Sequence, residues 1–230
     1  MAKKKDQEEE VIVDVKEIYT KTELFVDRNR KMLTGILVGI VAVIAIGAAY
    51  YYLVVKPKEQ NASAEAWKAE QYFEIDSLDL ALYGDGLYAG LEDIANDHSG
   101  TKAASRANYQ MGIVERDRGN FEDAIAYFEK VDLSDEVVSF LAATAIGDCE
   151  VELGNYAEAA KKFEKAVSKA KGTSAEDFTA PIAHYKAGVA YMELEDNAKA
   201  IKHFDAIVEN YPESQIHGRA ERFVAYLGEK

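Results

Sequence analysis

The chain has 230 residues, 27 basic and 41 acidic, for a net charge of −14, and a single cysteine. One cysteine excludes an intramolecular disulfide and any paired-cysteine metal motif. The acidic excess excludes binding to nucleic acid or to an anionic lipid surface through bulk charge.

Residues 1–31 form a polar tail with eight side chains of each sign. The basic run and then acidic run of residues 3–10 reads as disordered. Val11, Val15 and Ile18 share a helical face, and Thr20 and Glu23 have capping-box spacing. A helix is therefore expected to start there and continue into the next stretch. Residues 32–55, MLTGILVGIVAVIAIGAAYYYLVV, carry no charge and no proline. As a helix they extend roughly 36 Å, enough to cross a hydrocarbon core of about 30 Å. The run is too long, and too far from the N-terminus, for a cleaved signal peptide, so it reads as a signal anchor. Lys16, Lys21, Arg28, Arg30 and Lys31 flank it on one side; Lys56, Lys58 and Lys68 flank it on the other. This bias favours a cytoplasmic N-terminus and an extracytoplasmic domain, periplasmic beyond an inner membrane, with Tyr50, Tyr51 and Tyr52 at the outer headgroups. Gly35, Gly39 and Gly47 present small residues on the span, where another helix approaches closely.

Residues 56–61 read as a linker and 62–230 as one helical domain. Residues 59–230 hold 17 basic and 33 acidic side chains, a net charge of −16. Residues 62–82 are expected to form one long helix that buries Trp67, Tyr72, Phe73 and Leu78. A turn at residues 83–86 and a second helix marked by Leu87, Leu91 and Ile94 complete a degenerate first hairpin. Three segments then repeat one another. Gly112, Ala124 and Phe128 recur 35 residues later as Gly147, Ala159 and Phe163, and 41 residues after that as Gly188, Ala200 and Phe204. A glycine on the first helix admits the second, an alanine answers it, and a phenylalanine one turn on fills the space beside the contact. Gly119-Asn120, Gly154-Asn155 and Asp196-Asn197 turn the chain between the two helices. The six extra residues are expected to lengthen the loop near Gly172. Residues 215–227 read as a capping helix with Ala220, Phe223, Val224 and Leu227 inward.

This pattern resembles the tetratricopeptide repeat, although Asn108, Ala143 and His184 stand where that repeat favours tryptophan. The fold class is all-α, a transmembrane helix followed by a solenoid of such repeats. A solenoid of this kind lines its inner face with the first helix of each pair. Arg106, Tyr109, Ile113, Arg116 and Asp117 fall there in the first repeat. Leu141, Thr144, Asp148, Val151 and Glu152 follow in the second, and Ile182, Tyr185, Val189, Met192 and Glu193 in the third. Apolar, aromatic and charged groups so mixed suit a polypeptide partner, unless the capping helix or the long first helix covers part of the set. No nucleophile stands with a base. His98, His184, His203 and His217 show no ligand spacing, and Cys149 reads as a packing residue, so neither catalysis nor a cofactor is implied.

The whole layout resembles the YfgM-like family of membrane-anchored tetratricopeptide proteins. The resemblance rests on the charged tail, the Phe25-Val26-Asp27-Arg28-Asn29-Arg30-Lys31 lead into a glycine-bearing span, the alanine-rich helix from Ala62, and the degenerate repeats. It implies an ancillary subunit of the SecYEG translocon, acting with the membrane-anchored chaperone PpiD on emerging or folded polypeptides. An assembly factor for envelope or cytochrome biogenesis is the alternative.

Overall fold

The structure is a computed structural model. It describes residues 2–131 and 136–228, with side chains described for 23–131 and 138–228. Among the described residues there are helices and turns and no strand. The chain divides into two compact units, Met1–Pro57 and Lys58–Lys230.

The first unit is built on α1, Ala2–Tyr50, and a π-helical turn, Tyr51–Val55. It carries the chain's one candidate membrane span among the described residues, long and apolar enough to cross a bilayer and not buried against protein. Two expectations for the tail are corrected. The helix neither begins at Thr20 nor leaves residues 3–10 irregular, because no glycine or proline interrupts residues 1–34. The expected apolar face of Val11, Val15 and Ile18, and the Thr20 side chain, lie outside the described residues.

Residues 56–61, expected as a linker, are helical, since α2, Lys56–Glu74, starts at the last two residues of the first unit. Ala62, Ala66 and Ala69 recur at i, i+4 and i+7 and are fully buried with Leu91, Ile94, Ala103 and Ala107. That stripe sets the rotation of the helix and leaves Trp67, one position round from Ala66, 49 % exposed instead of buried. Tyr72, Phe73 and Leu78 pack at the edge of this core. The expected long helix also breaks. Asp76 adopts φ +56, its N–H bonds the Phe73 carbonyl, and the Ser77 N–H bonds the Tyr72 carbonyl, which is a Schellman stop. A short α3, Leu78–Tyr83, follows, then a loop to Gly90, then α4, Leu91–Asp97. Leu87 is thus a loop residue, not the start of a helix.

Three helix pairs come next: α5 (Lys102–Asp117) with α6 (Phe121–Phe128), α7 (Glu136–Glu152) with α8 (Tyr156–Ala170), and α9 (Glu176–Glu193) with α10 (Asn197–Asn210). Thr101 caps α5, its hydroxyl accepting the Ala104 N–H and donating to the His98 carbonyl. Within each pair the glycine contact is closer than sequence alone describes. A Cβ added at Gly112, Gly147 or Gly188 would stand 2.6, 2.5 or 2.7 Å from the ring of Phe128, Phe163 or Phe204. The rings lie on the glycines and are themselves buried, as are Ala124, Ala159 and Ala200. Each pair turns through the same stop. The N–H groups of Gly119, Gly154 and Glu195 bond three residues back, and those of Asn120, Asn155 and Asp196 bond five residues back. The Asn120 and Asn155 amides also donate to Glu115 and Glu150 of the preceding helix. The six extra residues between the second and third repeats extend α8 and not the loop. α8 runs 15 residues where α6 runs eight, because Ala166 and Ala170 pack on Phe140, Ala180 and Ala183. α11, His217–Gly228, closes the array with Ala220 and Leu227 buried and Phe223 stacked on Phe204, ring centroids 4.8 Å apart.

The missing tryptophans have a structural consequence. Asn108 lines a cavity of about 630 Å³ among α4, α5 and α6, and Ala143 lines one of about 260 Å³ beside Phe128 and Ile146. At the third position His184 is packed by His203 and Tyr211.

Candidate partner-binding groove

The first helices of the three pairs, α5, α7 and α9, bring their C-terminal halves to one depression. A cavity of about 550 Å³ is lined by Arg116, Phe121, Asp148, Val151, Glu152 and Lys186. A narrower slot of about 160 Å³ adjoins it, sharing Asp148, Val151 and Lys186. The walls of the slot are otherwise Tyr156, Phe163, Tyr185, Val189 and Ala190, with Glu193 at the edge. The slot is apolar because the same packing that seats Phe163 on Gly147 leaves one side of the ring toward α9.

Charge in the groove is partly neutralised from within. The Lys186 ammonium lies 2.6 Å from Asp148 and 5.7 Å from the centre of the Phe163 ring. Arg116 pairs with its neighbour Asp117 at 2.9 Å. Glu152 and Glu193 are exposed at the rim. Burial, foremost, pushes the Tyr109 phenol above its ordinary pKa. Cys149 is buried behind Asp148, and burial raises its thiol to about 11, so it does not serve as a nucleophile at neutral pH.

The structure brings together Arg116, Asp148, Val151, Glu152, Tyr185, Val189 and Glu193 of the residues expected on this face. Others are placed differently. Thr144 is buried and its hydroxyl donates to the Phe140 carbonyl at 2.9 Å, so it does not reach the groove. Tyr109 and Ile113 pack against the core beside Phe128, Ala145 and Ile146. Arg106 is drawn to Glu70 of α2 at 2.9 Å, and Met192 packs into the third-repeat core. Tyr185 is flanked by Phe223 and by the Arg219 guanidinium of the capping helix. Lys186 was missed. Its signal is the repeat offset: the position 41 residues after Asp148 is Val189, and Lys186 lies one turn before it on α9, facing Asp148 of α7 in the preceding pair.

Two of the histidines meet across the third helix pair. His184 Nδ1 stands 3.0 Å from His203 Nδ1, and His203 Nε2 stands 3.5 Å from Glu164. The two residues pair because α9 and α10 are antiparallel and each lies nine or ten residues from the turn at Leu194. The Tyr191 hydroxyl donates to the same Glu164 at 2.9 Å. Burial, then the neighbouring His203, lowers His184 to about 4, so the ring is neutral at physiological pH. Among the described residues no three His, Cys, Asp or Glu side chains converge as metal ligands. Along the span, nothing lies within 4 Å of where a Cβ would stand at Gly35, Gly39 or Gly47.

No curated protein matches the chain. Residues 109–176, from the middle of α5 to the start of α9, match a tetratricopeptide repeat model, and residues 183–214 match another. The chain carries tetratricopeptide repeats, which follow in sequence a helix of membrane-spanning length.

Proposed function

We infer that this protein is a membrane-anchored scaffold whose groove holds partner polypeptides at the membrane. The observation that carries the reading is the apolar slot between Phe163, Tyr185 and Val189, set in a charged rim on the first-helix face of a tetratricopeptide array. A slot of that size takes one bulky side chain, and the surrounding mixed charges suit a polypeptide backbone and its neighbours. Charge balance across the span supports a cytoplasmic N-terminus with the repeats in the periplasm. The layout shared with the YfgM-like family supports a place beside the SecYEG translocon, with a PpiD-like chaperone, handling chains as they leave the channel. The open positions at Gly35, Gly39 and Gly47 leave room on the anchor for a neighbouring helix.

Native purification in mild detergent tests this. Co-purification of translocon and chaperone subunits is the expected result. Recovery of an envelope or cytochrome assembly machine in their place transfers the scaffold to that process, and recovery of no partner removes the reading.

A further inference from the structure

In the Lys58–Lys230 unit, ten large apolar side chains are exposed among the described residues, and six of them fall within residues 67–88. They are Trp67, Ile75, Leu80, Tyr83, Leu87 and Tyr88, with Leu87 81 % exposed. An unpacked end of the array would present such residues on a mobile segment, but this hairpin is rigidly built. Asp85 accepts the N–H groups of Leu87 and Tyr88, at 2.9 and 2.8 Å, and the Tyr72 hydroxyl at 2.7 Å. Those bonds, the hydroxyl's first, hold its carboxyl down at about 2. A Cβ at Gly84 would meet the Tyr88 carbonyl, and one at Gly90 would meet the Leu82 carbonyl, so the two ends of the loop are clasped backbone to backbone. Trp67 meets Tyr88 edge to face at 5.7 Å. The Lys68 ammonium lies over the rings of Trp67, Tyr72 and Tyr88, and so is already engaged. The loop therefore presents Leu87 beside an aromatic platform that costs little entropy to dock.

Charge identifies what fits there. Residues 67–88 contain five acidic side chains and one basic, a net charge of −4. Glu70 is paired with Arg106 and Asp79 with Arg118, while Glu74 and Asp76 are exposed beside Ile75. An anionic bilayer surface is repelled by such a rim, and a second copy of the same acidic patch repels itself. We propose that the hairpin of residues 67–88 is a second docking surface, separate from the groove, for a partner segment that combines bulky apolar side chains with lysine or arginine.

Trp67 is the chain's sole tryptophan and stands in this surface, so it reports occupancy directly. The test uses the full chain in phosphatidylcholine nanodiscs, probed with a leucine–lysine helical peptide and a leucine–glutamate counterpart. The lysine peptide shifts Trp67 emission to the blue and shields it from acrylamide, and the glutamate peptide does neither. Leu87→Ser weakens the lysine peptide roughly tenfold, as loss of one anchor side chain does. Glu74→Lys also weakens it, and Val189→Glu in the groove leaves it unchanged. Shielding of Trp67 before any peptide is added would mean the bilayer covers the surface. Shielding that grows with protein concentration would mean a second copy does. Peptide binding that leaves Trp67 unmoved, or no binding, would mean the patch is not this site. Each of these results overturns the proposal, and none of them bears on the groove.

Discussion

Replacing Gly147 by alanine isolates the contact on which every repeat is built. The new methyl carbon would stand 2.5, 2.7 and 2.9 Å from three atoms of the Phe163 ring, where apolar atoms rest at about 3.5–4.0 Å. Either α7 and α8 part locally by about 1 Å or the buried ring leaves its place. Overpacking of this kind costs about 1–3 kcal/mol. Alanine recovers about 1 kcal/mol of helix propensity over glycine. The net destabilisation is then about 0–2 kcal/mol, a fall of up to roughly 8 °C in Tm for a domain of this size. Gly218→Ala is the control: it lies in α11 with nothing within 4 Å of its Cβ, so the same change there raises Tm slightly. Combining Gly147→Ala with Phe163→Leu makes room for the methyl, and in that background the alanine costs nothing or stabilises. Thermal melts of the Lys58–Lys230 unit followed by circular dichroism read the wild type, the three single variants (Phe163→Leu included) and the double variant. If Gly147→Ala stabilises as Gly218→Ala does, or if the double variant is simply additive, the ring-on-glycine account is wrong.

Glu195 occupies at φ +56 the turn position that Gly119 and Gly154 occupy at +81 and +75. A left-handed non-glycine residue costs about 1 kcal/mol, so Glu195→Gly raises the urea midpoint and Gly154→Ala lowers it by a similar amount. His184 is half-buried and neutral with its pKa lowered to about 4, whereas an unfolded chain takes the proton at 6.5. Above pH 6.5 the ring contributes no pH dependence. The fold is penalised as pH falls from 6.5, and the penalty levels off near pH 4 on the order of 3 kcal/mol below its neutral value. His184→Gln flattens that part of a pH–stability curve, and an unchanged curve would refute the burial argument. Cys149, buried with its thiol raised to about 11, resists iodoacetamide at neutral pH in the native protein and reacts fully in urea. Comparable labelling rates in the two conditions would contradict its packing.

The Gly–Ala–Phe periodicity was readable because a helix hairpin needs those three sizes at three fixed positions, and the repeats show them at constant offsets. The candidate span was readable because 24 consecutive uncharged residues form a helix long and apolar enough to cross a bilayer. What escaped depends on backbone states and on pairs distant in sequence. A left-handed Asp76 leaves no compositional mark, so the break in the first long helix was hidden. The outward turn of Trp67 followed from the alanine stripe at residues 62, 66 and 69, which was visible but outweighed by the assumption that tryptophan is buried. Lys186 beside Asp148 and His184 beside His203 emerge only when positions are compared across the repeat or reflected through the turn. Thr144 shows the limit of counting along a helix: one step of rotation separates a groove residue from a buried one.

The groove is the proposed place where partners are held. A photoreactive amino acid at Val189, and separately at Lys161 on α8 away from the groove, can be activated in intact membranes of cells making the full chain. The account predicts discrete polypeptide adducts from position 189, among them translocon or chaperone subunits, and none from position 161. Adducts absent at 189, or formed equally at both positions, would contradict it.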